Sequence, residues 1–130
     1  MEKVTGIGGI FFKASDPKSL REWYRDHLGV PVDEYGGASF EWREKEQQDT
    51  IGMTVWSTFP STTTYFDPTR APFMINYRVE NLDAMLDQLR KAGVTVDEKV
   101  DDSEYGRFGW ATDPDGNRFE LWQPPKKVDS

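Results

Sequence analysis

Glu120 sits between Phe119 and Leu121, two residues before Trp122, in an alternating run that follows a turn. The turn is Asp113, Pro114, Asp115 and Gly116. Proline pre-sets φ at its second position, and glycine accepts the positive φ that comes later. Beyond it, Arg118, Glu120 and Trp122 fall on one strand face and Phe119 and Leu121 on the other. A carboxylate beside a tryptophan, on the face away from the core, can act as a metal ligand, a general base or an anchor for a ligand's donor. A chelate or an acid–base pair needs a second group within reach, and the chain offers few. It has one histidine and no cysteine. Thiolate catalysis, disulfides and cysteine metal sites are therefore excluded. His27 shares a helical apolar stripe with Leu20, Trp23, Tyr24 and Leu28. That spacing predicts a partly buried ring hydrogen-bonded to backbone rather than a catalytic one. Gly8 and Gly9 do not lie between a strand and a helix N-terminus, so they make no phosphate loop.

The elements that must position these side chains can be read from capping and periodicity. A strand is predicted over 4–14. Asp16 and Pro17 then start a helix as N-cap and first-turn proline, and Gly29 ends it. A short strand over 30–32, a strand over 38–43 and another over 51–57 follow. After 58–72 the pattern restarts with a strand over 73–79. Asn81 caps a second helix carrying Leu82, Met85, Leu86 and Leu89, which stops at Gly93. A short strand over 94–96 precedes a hairpin made of 107–112 and 117–122. The interval 58–72 holds three prolines and the pair Tyr65-Phe66 with no strand or helix period. A connection of that length in a small domain reads as a lid, an interface or an inter-module linker. The acidic run 101–104 reads as a solvated face at the surface or a groove end.

At 130 residues the chain reads as one domain (1–130), built from a first module (1–57) and a second (73–125). The net charge of −7 argues against nucleic acid and anionic membrane surfaces as partners and suits a neutral or cationic small molecule. The apolar run 7–12 is too short for a signal peptide or a membrane span, which points to a cytoplasmic protein.

The two halves repeat one another. His27-Leu28-Gly29-Val30-Pro31-Val32 parallels Lys91-Ala92-Gly93-Val94-Thr95-Val96, Phe40-Glu41-Trp42 parallels Phe108-Gly109-Trp110, and Met53-Thr54-Val55-Trp56 parallels Phe119-Glu120-Leu121-Trp122. Each half reads as strand, helix, then three strands. The expected fold is α+β: two tandem βαβββ modules forming a curved, mostly antiparallel sheet around a concave groove, with helices outside. With the helix ending Trp23-Tyr24-Arg25-Asp26-His27-Leu28-Gly29 and the stretch 113–122, this pattern resembles the vicinal oxygen chelate superfamily. That superfamily includes glyoxalase I, extradiol dioxygenases, fosfomycin resistance proteins and bleomycin-binding proteins.

The resemblance implies a homodimer and four metal-ligand positions, at Gly9, Gly52 or Thr54, Met74 and Glu120. Of these only Glu120 is a competent ligand, because glycine has no side chain and thioether or hydroxyl groups match hard divalent ions poorly. No cofactor is therefore expected, with a divalent metal as the alternative. Phe11, Trp56 and Trp122 are expected to line the groove, with Lys13, Asn76, Arg78 and Glu120 as polar neighbours. The faces taken by Trp42 and Trp110 stay open. The expected function is a glyoxalase-like, bleomycin-resistance-like protein that binds a small organic molecule in an aromatic groove. The alternative is a lyase, isomerase or dioxygenase, either metal-dependent or using Glu120 as its catalytic base. The sequence leaves open whether the protein is an enzyme.

Overall fold

A computed structural model describes residues 1–125. Its elements run β1 (Val4–Ala14), α1 (Pro17–Leu28), β2 (Gly37–Arg43), β3 (Ile51–Pro60), β4 (Phe73–Val79), α2 (Leu82–Lys91), β5 (Thr95–Val96), β6 (Asp101–Ser103), β7 (Gly106–Thr112) and β8 (Arg118–Gln123). Strand order in the open mixed sheet is β2-β3-β1-β4-β8-β7-β5, with β6 paired to β7. The α+β architecture with a curved sheet and two helices is as the sequence predicts.

The two helices begin as their caps dictate. Asp16 accepts from the Ser19 backbone N–H at 3.1 Å, and Asn81 accepts from that of Ala84 at 3.0 Å. Gly29 closes α1 in the left-handed region at φ 67°. The helices differ in what they bury. Leu82, Met85 and Leu86 of α2 pack with Val79 and Leu121 into one core, against Tyr77 and Phe119. No residue of α1 is buried. Tyr24 meets Phe12 and Trp56 edge-on, while Trp23 and Leu28 remain exposed. His27 is likewise exposed and stacked on Trp23 at 4.9 Å, not tucked against backbone as its spacing suggests.

Further departures are local. Residues 30–32 form no strand, so the first half has two strands after its helix. β3 runs on to Pro60, three residues past the expected end, because it pairs in parallel with β1 as far as Ala14. The acidic run contributes β6, whose Asp102 meets Arg107 across the pair at 3.0 Å.

The halves are joined where β1 pairs antiparallel with β4. The register slips between Ile7 and Gly9, leaving Gly8 as the extra residue of a bulge. A Cβ added at Gly8 would lie 2.2 Å from Asn76 Oδ1 and 2.9 Å from the Trp122 ring. Glycine is the residue that lets β4 and β8 side chains close over the seam.

Candidate functional site

Pairing across the four central strands sets one row of residues. Gly9 lies opposite Asn76, Asn76 opposite Glu120, and Glu120 opposite Trp110. Because Phe119 and Leu121 face α2, Glu120 must face the concave side. It is 2% exposed. Asn76 Nδ2 donates to Oε1 at 2.5 Å, and Trp110 Nε1 donates to Oε2 at 2.9 Å. A third donor arrives from the segment between the modules: the Tyr65 hydroxyl also donates to Oε2. The Asn76 carboxamide is itself buried, and its Oδ1 has no hydrogen-bond partner among the described residues.

These surroundings set the charge of the site. Burial pushes the Glu120 carboxyl above its usual value, against the pull of the bonds from Tyr65, Asn76 and Trp110 and of the Arg118 charge. Burial, and then the neighbouring carboxylate, hold the Tyr65 hydroxyl protonated far above the ordinary tyrosine range. Arg118 lies 5.3 Å from the Trp110 ring, pairs with Asp97 at 3.1 Å and donates to the Asp67 carbonyl. It ties the inter-module segment to the far end of the sheet.

Around the carboxylate the concave side is lined closely by aromatic side chains. Phe66, Met74 and Trp110 form a buried cluster with Phe11, Phe59 and Phe108 packed against it. Tyr65 stacks on Phe59 with rings 5.6 Å apart and 4° from parallel, and stands edge-on to Trp110. Phe11 meets Phe59 edge-on at 5.6 Å, and Lys13 Nζ lies 5.5 Å from the Phe66 ring centre.

The other expected site residues divide between this cluster and places apart from it. Asn76 touches Glu120 directly. Trp122 lies on the same strand face but stacks on Phe108, with its Nε1 donating to the Tyr105 carbonyl at 2.7 Å. Arg78 points to one end of the sheet, 3.8 Å from Glu44 and 5.6 Å from the Trp42 ring. It borders a cleft of about 260 Å³ there with Thr5, Glu80 and Gln123. Trp56 does not line the concave side. It packs against Phe12 and Tyr24 under α1, because β3 pairs Trp56 with Ile10, on the α1 side of β1. Trp110, whose face was open in the sequence, stands beside Glu120. Trp42 covers Gly6 and Gly52, and its Nε1 donates to Thr54 at 2.8 Å. Sequence reasoning missed Tyr65 as a partner of the carboxylate, and Phe59 and Phe66 as the rings packed against Tyr65. The only signal was an aromatic pair in a segment without period, and period is what assigns a face.

The four positions implied by the resemblance do not make a cation site. Met74 is enclosed in the aromatic cluster, Gly52 lies under Trp42, and Thr54 Oγ1 donates to the Ile7 carbonyl while accepting from Trp42. Each group aimed at the Glu120 oxygens is an N–H or O–H donor. Such a set satisfies a bare carboxylate and does not fit a divalent ion, which needs further acceptors. Among the described residues no three of His, Asp and Glu come together as a ligand group.

Residues 9–122 match the Glyoxalase-like domain. The chain belongs to the glyoxalase-like domain family. No curated protein matches this family member by sequence. Its fold is shared with methylmalonyl-CoA epimerase from Mycobacterium tuberculosis, at 22% identity and TM-score 0.61, covering 95% of this chain and 90% of that one. A variant of the Streptomyces coelicolor methylmalonyl-CoA epimerase, in complex with 2-nitronate-propionyl-CoA, superimposes at TM-score 0.68 with 17% identity, covering 95% and 100%. A glyoxalase/bleomycin resistance protein/dioxygenase superfamily member from Vibrio splendidus gives TM-score 0.55 at 11% identity, covering 95% and 99%. At these identities the likeness concerns the fold. Among the described residues of this glyoxalase-like chain, no helix is long and apolar enough to cross a membrane.

Proposed function

We propose that this glyoxalase-like protein binds a compact organic molecule on the concave side of its sheet, held by aromatic rings and anchored on Glu120 with no divalent ion between them. One observation carries the reading: a carboxylate that is 2% exposed receives donors from three separate elements inside an aromatic shell. Burying a charge costs stability, and an apolar side chain would pack the same space without that cost. Retaining a carboxylate there favours recognition over packing. Phe11 and Trp110 serve as walls, with Asn76 and Trp122 beside them. Lys13 and Arg78 stand further out, over Phe66 and at one end of the sheet, beyond the reach of a compact ligand on Glu120. That a structural neighbour is a complex with 2-nitronate-propionyl-CoA supports a small-molecule role for this fold.

A thermal-shift screen of metabolites, antibiotics and divalent ions tests this, because a ligand specific to the native state raises the melting temperature. The expected result is a shift with an organic molecule that Glu120→Leu abolishes. Stoichiometric nickel, zinc, iron or manganese in the purified protein would overturn the metal-free part of the proposal.

The upward push on the Glu120 carboxyl favours a second reading, in which it is the base of a lyase or isomerase. Loss of turnover with retained binding in Glu120→Gln would decide for it. The proposal also makes the protein a cytoplasmic homodimer, since the exposed Trp23, Leu28 and Phe40 would be covered by a second copy. A monomeric mass by light scattering at micromolar concentration would count against the dimer.

A further inference from the structure

Tyr65 reaches Glu120 from a segment whose place is set by another residue. Its neighbour Phe66 is fully buried and anchors the segment in the aromatic cluster, and backbone bonds from Asp67 to Thr64 and from Thr69 to Phe66 fold the segment on itself. Tyr65 is 38% exposed, lies at the rim and reaches inward only through its ring. Rotating that one side chain toward solvent would uncover Glu120 Oε2 while Phe66 keeps the backbone in place.

The place Tyr65 fills has a definite chemistry. Phe59 provides a parallel face, Trp110 and Phe66 provide edges, and Glu120 Oε2 accepts at the far end. A parallel ring and two edge-on rings suit a flat aromatic guest, and the carboxylate oxygen suits a guest carrying a hydroxyl donor. We propose that Tyr65 is an internal occupant of the ligand site, and that the ligand is a phenol-bearing molecule which takes its place on Glu120 when Tyr65 swings out. This rests on the concave side being a ligand site and names the class of ligand.

The consequence is competition inside one molecule. The apparent affinity of the wild-type protein for a phenol is reduced by the fraction of time Tyr65 spends outside. Calorimetric titration with p-cresol, the tyrosine side chain as a free molecule, is the direct test, with toluene as the ring lacking the donor. Wild-type protein is expected to bind p-cresol weakly but saturably and toluene more weakly still. Tyr65→Ala is expected to tighten p-cresol on the order of tenfold or more, because the competitor is gone. Tyr65→Phe keeps the ring but loses the bond to Glu120, so it is expected to fall between the two, and it decides the matter if Tyr65→Ala does not fold. Adding Glu120→Leu should erase the preference of p-cresol over toluene. Binding to Tyr65→Ala but none to the wild type would make Tyr65 a fixed wall and overturn the exchange. Equal binding of toluene and p-cresol would overturn the ligand class. If p-cresol fails while another organic molecule gives a Glu120-dependent thermal shift, this inference falls and the small-molecule reading survives.

Discussion

Glu120 is held at odds with itself: burial favours the neutral acid, while three donors and Arg118 favour the anion, and burial wins. Its carboxyl in the folded protein therefore titrates above the ordinary value of 4.5. A carboxyl raised on folding adds stability that is fully present below the unfolded value and is lost as pH rises through the folded one. Glu120→Gln removes that titration. The unpartnered Asn76 Oδ1 can accept from the new amide after a flip, so the variant is expected to keep the fold. Urea unfolding of both proteins from pH 4 to pH 8 should show the wild type losing ground against Glu120→Gln as pH rises; a constant difference contradicts the direction of the shift. Tyr65→Phe leaves Oε2 with Trp110 alone. It is expected to cost about 1.5–3 kcal/mol at neutral pH, the range for a hydrogen bond to a charged group. A cost near zero in the same assay would mean the hydroxyl bond adds nothing to the native state. Of this site the sequence disclosed Glu120 and Asn76, because strand alternation and the repeat place both. Tyr65 could not be read, since nothing in a segment without period says which way a side chain turns.

The two helices carry similar stripes and have different fates. Both were visible in the sequence through their caps, and Leu82, Met85 and Leu86 of α2 pack as periodicity demands. The stripe of α1 suggested an equal partner, but periodicity measures which residues share a face and not how much sheet lies beneath it. Under α1 the sheet offers Phe12, Trp56 and Thr58, which Arg21 and Tyr24 reach from the middle of the helix, while Trp23 and Leu28 stay exposed. Trp56 is spent on that contact, which is why it is absent from the concave side where the repeat had put it. Substitution should register the difference. Leu86→Ala is expected to cost about 2–5 kcal/mol as a core truncation. Leu28→Ala, 63% exposed, should stay within about 0.5 kcal/mol. Comparable losses for the two in denaturant unfolding would mean that α1 packs far more tightly than its exposure indicates, as it would if a second copy covered it.

At the scale of the whole molecule the two halves share a pairing pattern, β1 with β3 and β3 with β2 in one, β4 with β8 and β8 with β7 in the other, but differ in packing. The buried apolar residues before the inter-module segment are Ala14 and Ala38, whereas Phe66, Met74, Val79, Leu82, Met85, Leu86, Trp110, Ala111 and Leu121 all come later. The core under α2 is drawn entirely from the second half. The aromatic cluster takes Phe11 and Phe59 from the first half only as partly buried flanks. The first half thus lies against a better-packed second half, joined through β1, which pairs with β3 on one side and β4 on the other. The sequence could announce the two capped helices and the strands beside them because capping and alternation are local. It could not announce the imbalance, which depends on how deeply each stripe is covered. Protection against hydrogen exchange follows local opening, and opening is cheapest where few apolar contacts must break. Native-state exchange should therefore find the amides of β4, α2, β7 and β8 exchanging through the largest openings. Those of β2 and α1 should open sub-globally, at a cost lower by on the order of 1–3 kcal/mol. A ligand held on Glu120, as proposed, would contact β7, β8 and the segment that carries Tyr65, so it should raise protection there and leave β2 unchanged. Equal protection in both halves, or a ligand effect that reaches β2 as strongly as β7, would require a shared core that this packing does not contain.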